Sequence, residues 1–135
     1  MSRAHAQALL EHLQDETPDT LPVFDTRAPD GAALPYVVLH AGVGTRERTR
    51  LGTRVDRTLL SPQTTSVGAT PDQARWAAER VHDALVDVRI TVDGQQPARL
   101  RHNLSRPPEP DLDEDPPVFF VVDLWTLTTN PARGA

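Results

Sequence analysis

The sequence contains no cysteine and no lysine. Without cysteine, the chain can form neither a disulfide nor a cysteine-ligated zinc site. Without lysine, it can form no Schiff base and lacks the residue that contacts phosphates in a P-loop. The fourteen arginines are outnumbered by nineteen carboxylates, and the net charge of −5 argues against a general nucleic-acid-binding protein.

The chain also lacks any apolar run near the ~20 residues that a membrane-spanning helix needs. Its first residues, MSRAHAQALLEHLQDE, contain no apolar core of the kind found in signal peptides. We therefore expect a soluble protein that is not exported and does not contact a membrane. At this length, residues 1–135 are expected to form a single domain around one hydrophobic core.

Two helices are predicted. Apolar residues recur at helical spacing over residues 3–14, which indicates one amphipathic helix. A second helix is predicted from about Pro71 to Asp87, because Thr70 fits an N-cap and Gln73 completes a capping box.

The remaining strong patterns predict strands. Residues 35–42 and 118–129 are rich in β-branched and aromatic residues, whereas residues 57–69 are extended but interrupted by Pro62. Both faces of residues 118–129 are apolar apart from Asp123, which predicts a central strand covered on both sides. The element order predicts an α+β fold, a mostly antiparallel β-sheet packed with two main α-helices.

No motif indicates catalysis or a cofactor. The five histidines lack the spacing of a metal motif, no serine lies in GxSxG, and no glycine-rich stretch matches a Walker loop or GxGxxG. The carboxylates of residues 109–115 lack the glycine and spacing of an EF-hand loop, which favours a solvated acidic loop over a cation site. We therefore expect no enzymatic activity, no metal and no cofactor.

Trp76 is unusual within the second predicted helix. At ~100° per residue it lies about 140° from Val81, the centre of the apolar stripe, on the side that carries Arg80. Tryptophan is enriched among interface anchors, so this position predicts a contact with another subunit. Alternatively, the ring folds over a side-chain stem or lies beneath the acidic loop of its own subunit.

Two segments of opposite charge are candidates for contacts with partners. We call residues 44–57 the Arg arm; its five arginines and two carboxylates give a net charge of +3, and four of the arginines fall at even-numbered positions. Residues 105–117, the acidic segment, carry five carboxylates. Both segments are expected to project. The candidate interface residues are Trp76, Arg80, Arg46, Arg48, Arg50, Arg54, Asp111, Asp113, Glu114 and Asp115.

The Arg arm has several interpretations. In an extended chain, alternate arginines would be spaced by ~6.6 Å on one face, comparable with phosphates along a nucleic-acid strand. An ordinary polar hairpin gives the same pattern. The arm is also complementary to the acidic segment, so the two could meet between subunits and fix their register.

The run from Gln63 to Trp76, Q-x-x-x-V-G-x-T-x-x-Q-A-x-W, follows the strand PYVVLHAG and precedes PARLRHNL and a final apolar strand. This arrangement resembles the tail-terminator, or tail-completion, proteins of long-tailed bacteriophages and prophages over roughly residues 5–130. In the Arg arm and the acidic segment the chain departs from the family, and the family's core motifs predict nothing about either segment.

The resemblance implies a non-enzymatic virion protein with an α/β fold, made in the host cytoplasm and located at the tail–neck junction. It implies a homohexameric ring that caps the tail tube, stops its polymerisation and joins it to head-completion proteins. Genomic DNA would pass through the ring without sequence-specific binding, and Arg46, Arg48 and Arg50 are candidates for facing that passage. In such a ring, Trp125 could be buried between subunits together with Trp76. The alternatives are a head–tail connector or head-completion subunit, or a small nucleic-acid-binding module that uses the Arg arm.

Overall fold

The computed structural model describes residues 2–48 and 56–130. Helix α1 spans Ser2–Glu16 and helix α2 spans Pro71–Leu85. Neither has the combination of length and hydropathy that a membrane-spanning helix requires. Both predicted helices are therefore present, although α2 ends two residues earlier than expected.

The start of α2 confirms the predicted capping. The Gln73 amide donates to the Thr70 hydroxyl at 3.0 Å, which satisfies one of the free donors of the first turn. In return, the Gln73 side chain accepts from the backbone N–H of Ala69 at 2.7 Å, one residue before the N-cap. Local sequence thus fixes where the helix begins.

The strands form a mostly antiparallel sheet, which confirms the predicted α+β fold, and β1 with β2 is the one parallel pair in residues 2–48 and 56–130. The strands are β1 (Val23–Asp25), β2 (Tyr36–His40), β3 (Thr45–Arg48), β4 (Asp56–Leu60), β5 (Gln63–Gly68), β6 (Arg89–Ile90), β7 (Ala98–Ser105), β8 (Glu109–Asp111) and β9 (Val118–Thr129).

Strand β9 is the centre of the sheet, and each of its edges is occupied by two strands. Phe119 and Phe120 pair with both β5 and β8, while Leu127 pairs with both β4 and β7. Strands β4 and β5 therefore share one edge, and β7 and β8 share the other. As predicted, Pro62 interrupts the extended region, but the register on β9 is the same on both sides of it.

Only one face of β9 is fully buried, so the prediction of a strand covered on both sides was wrong for the other face. Val121, Trp125 and Leu127 are buried, whereas Phe120, Val122 and Leu124 are half-buried. The physical reason is that both helices pack on the same side of the sheet. Their apolar residues join one core cluster with the inner face of β9 (Leu9, Leu13, Val81, Leu85, Trp125 and Leu127).

The acidic segment is only partly a loop, which corrects a second expectation. Strand β7 continues to Ser105, and Glu109–Asp111 forms β8 on the edge of β9. An exposed edge strand needs only backbone partners, so its side chains remain in water despite the pairing. The part outside the strands is reduced to the exposed turn at residues 112–117, which we call the acidic turn.

Candidate functional site

The structure places the described parts of the Arg arm, residues 44–48 and 56–57, at two paired strands. Strands β3 and β4 pair antiparallel, with Arg46 opposite Thr58 and Arg48 opposite Asp56. Arg50 and Arg54 lie outside the described residues. Arg46 and Arg48, the first two arginines of the pattern, therefore lie on a strand, as the interpretation of an extended arm requires.

Within one subunit, the described strands of the Arg arm, β3 and β4, lie far from the acidic turn. Strand β4 pairs with β9 at 127–129, whereas β8 pairs at 118–120 on the opposite edge. Nine residues of extended chain separate these points, which corresponds to ~30 Å. The described part of the Arg arm and the acidic turn therefore lie near opposite ends of the central strand.

The acidic turn keeps its carboxylates in water. Asp113, Glu114 and Asp115 are exposed, and Asp111 is partly exposed at the end of β8. Asp111 accepts a hydrogen bond from the backbone N–H of Asp113 at 3.1 Å, which shapes the turn.

Trp76 and Arg80 lie together on α2. The indole is half-buried and packs partly against the core cluster, and the Arg80 guanidinium carbon lies 5.7 Å from the ring centroid. Arg80 also pairs with Asp83 at 3.1 Å. The ring therefore lies close to the guanidinium of Arg80, and it also borders a shallow hollow lined by Thr20, Pro35 and Thr70.

Trp125 lies in the core of its own subunit, which corrects the suggestion that it lies between subunits. Its residue surface is 1% exposed, and its indole N–H donates to the Thr64 hydroxyl at 3.0 Å. Side chains along β9 alternate between the two faces of the sheet, and Trp125 lies on the face that the helices cover, not on the outer face.

The outer face of the sheet is the first feature that the sequence did not reveal. Phe120, Val122 and Leu124 lie beside Val67, Thr65 and Gln63, their partners on β5. Leu104, opposite Leu124 on β7, is 46% exposed. This apolar strip borders a groove that is flanked by Arg106 and Glu109. We call the strip Phe120, Val122, Leu124 and Leu104 the outer apolar strip.

A cluster of two histidines and one aspartate is the second unpredicted feature. Asp123 on β9 is fully buried on the helix side of the sheet. Its Oδ1 lies 2.8 Å from Nε2 of His82 on α2 and 2.9 Å from Nε2 of His102 on β7. We call these three residues the His–His–Asp cluster.

Trp125 forms one wall of this cluster. Its ring centroid is 4.5 Å from that of His102 and 5.9 Å from that of His82. The signal in the sequence was Asp123 itself, a carboxylate in an otherwise apolar strand. Its partners lie 41 and 21 residues away along the chain, so only the fold identifies them.

No family model matches the chain, and no curated protein sequence matches it. Among solved structures, a chain described as part of the "Virion of native gene transfer agent (GTA) particle" has a similar fold. The TM-score is 0.54, and the match covers 96% of this chain and 94% of that chain at 15% sequence identity. At this identity the similarity is one of fold, extending over nearly the whole of both chains.

Proposed function

We propose that this chain is a structural protein of a phage or phage-like virion, and that within the virion it is the ring-forming tail terminator. The observation that carries the proposal is the near end-to-end fold similarity to a chain of a gene transfer agent virion. The motif from Gln63 to Trp76 supports the finer assignment independently of that similarity. On this proposal the chain is not an enzyme and requires no cofactor.

The outer apolar strip supports assembly with further copies. A sheet with both helices on one side leaves its other face partly in water, and there the strip combines three half-buried apolar side chains with the exposed Leu104. Apolar surface that remains in contact with water is typical of interaction sites. In a closed ring, each subunit presents one surface to a different surface of the next. The outer strip would then be covered by a neighbouring subunit.

The charges at the two ends of β9 support a head-to-tail arrangement. Because strand β4 of the Arg arm and the acidic turn lie near opposite ends of β9, their complementary charges are available for contacts between subunits. Such pairs contribute to register and orientation more than to affinity. The arm would thus dock on a neighbouring subunit or on the tail tube rather than grip DNA.

The partners that follow from the proposal are further copies of the chain in a hexamer, the major tail tube protein and a head-completion protein of the neck. The location would be the tail–neck junction of the virion. Genomic DNA would pass through the ring, where Arg46, Arg48 and Arg50 are candidates for weak contacts along the passage.

The test combines mass measurement with tail tube assembly. The purified chain, alone and with polymerising tail tube protein, should give a species near six times the 14.9 kDa subunit mass. It should also yield shorter tubes that are capped at one end in electron micrographs. A chain that remains monomeric under both conditions and leaves tube length unchanged would refute the proposal.

A matched pair of variants tests the outer apolar strip. Leu104 and Val86 are 46% and 43% exposed, so Leu104→Asp and Val86→Asp place the same charge on similarly exposed positions. Only Leu104 lies on the strip, and only Leu104→Asp should reduce the ring fraction. Equal effects of the two variants would show that the strip is not the contact.

A further inference from the structure

The His–His–Asp cluster has the donor atoms of a transition-metal site. One ligand atom from each of His82, His102 and Asp123 lies within 4.8 Å of the other two. Imidazole nitrogen and carboxylate oxygen are ligands that Zn²⁺ accepts, and three protein ligands plus water is a common arrangement. We propose that this cluster binds one Zn²⁺-class divalent ion, a function distinct from ring formation.

The ligand spacing is close to what the ion requires. With metal–ligand bonds of about 2.0–2.1 Å in a tetrahedron, neighbouring ligand atoms lie ~3.3 Å apart. The two Nε2 atoms lie 2.8 and 2.9 Å from Oδ1, as hydrogen-bonded partners do. Each imidazole therefore needs to withdraw by about 0.5 Å, which a small side-chain rotation provides.

The second carboxylate oxygen of Asp123 is an independent indication. Asp123 is fully buried, and its Oδ2 has no hydrogen-bond partner within residues 2–48 and 56–130. A buried carboxylate is costly unless it is paired or coordinates a metal. Both imidazoles contact Oδ1 and neither is hydrogen-bonded to Oδ2. A bound cation would compensate the buried negative charge of the whole carboxylate.

The cluster is also accessible. The side chains of His82 and His102 are 32% and 26% exposed, so an ion can enter between them and retain a water ligand. The Trp125 ring closes the inner side, held by its hydrogen bond to Thr64. The bound ion would link α2, β7 and β9, a cross-link that a chain without cysteine cannot obtain from disulfides.

Zinc titration of the chelator-treated chain tests the proposal. Calorimetry and metal analysis should give one Zn²⁺ per chain, and Zn²⁺ should raise the melting temperature because it binds the folded state. His82→Ala and His102→Ala should each weaken binding at least tenfold. His40→Ala provides the control, because His40 is exposed at the end of β2 and belongs to no part of the cluster.

A fluorescence measurement keeps the test decisive if an alanine variant misfolds. In a Trp76→Phe background, Trp125 is the sole indole, and Cu²⁺ bound to the cluster should quench it at about one equivalent. Three results would each overturn the proposal. The first is a folded wild-type chain that binds no Zn²⁺, which leaves the cluster as a metal-free hydrogen-bonded network. The second is binding that survives both histidine substitutions. The third is Trp125 emission that Cu²⁺ leaves unquenched.

Discussion

The motif glycine Gly68 is predicted to be required by the packing of α2 on the sheet. A Cβ atom at this position would lie 2.6 Å from the backbone nitrogen of Ala74 and 2.9 Å from the carbonyl carbon of Gln73. Both atoms belong to the first turn of α2, which the Thr70 cap and the core hold in place. Gly68→Ala therefore forces the helix to move rather than one flexible side chain.

The expected loss follows from two opposing terms. Overpacking a close contact costs ~1–3 kcal/mol, while replacing glycine stabilises by ~0.4–1 kcal/mol through the unfolded state. We expect a net loss of about 1–2 kcal/mol, which corresponds to a melting temperature roughly 3–8 °C lower. Urea unfolding followed by far-UV circular dichroism should show a lower midpoint with an unchanged slope.

Gly42→Ala is the matched control. A Cβ atom at Gly42 meets nothing within 4 Å, so this variant should equal the wild type or gain up to ~1 kcal/mol. If Gly68→Ala unfolds at the wild-type urea concentration while Gly42→Ala behaves as expected, the close approach between β5 and α2 does not constrain the fold.

Two further predictions concern Tyr36 and Trp76. Burial, and then the charges of Glu114 and Asp111, raise the pKa of Tyr36 above its usual value. The associated stability is complete below the unfolded pKa of ~10 and is lost as the pH rises through the folded pKa. Absorbance titration of the single tyrosine should therefore give a raised midpoint that Glu114→Gln lowers; a midpoint at the free value contradicts the environment described. Trp76→Ala should reduce ring association at least tenfold while the free energy of unfolding falls by no more than about 2 kcal/mol, because the ring is only half-buried. A larger stability loss with an unchanged oligomer ratio would assign Trp76 to the fold alone.

Elements with a complete local signal were predictable from sequence. Contacts between Thr70 and Gln73, three residues apart, determine the start of α2. Pro62 interrupts the extended region whichever strand that region pairs with. These signals depend on neighbours along the chain. They can therefore be recognised without knowledge of the tertiary structure.

The sequence does not show on which face of the sheet the helices pack, so features that depend on that face were not predictable. The alternation in β9 is apolar on both faces, so nothing local distinguishes the buried Trp125 from the half-buried Leu124. The acidic composition of residues 109–111 indicated a loop, because charge reports on side-chain solvation and not on backbone pairing. Asp123 was visible as an exception, but its histidine partners come from α2 and β7.

The two proposals occupy opposite faces of the sheet and can fail independently. The His–His–Asp cluster lies on the helix side, with Asp123 buried beneath α2, whereas Leu104 and Leu124 lie on the outer face. A charge at Leu104 should therefore disrupt rings without changing zinc affinity. Loss of His102 should weaken zinc binding at least tenfold and leave the outer apolar strip intact. His102 and Leu104 both lie on β7. If His102→Ala also dissociated the ring while the subunit stayed folded, β7 would couple the two faces of the sheet.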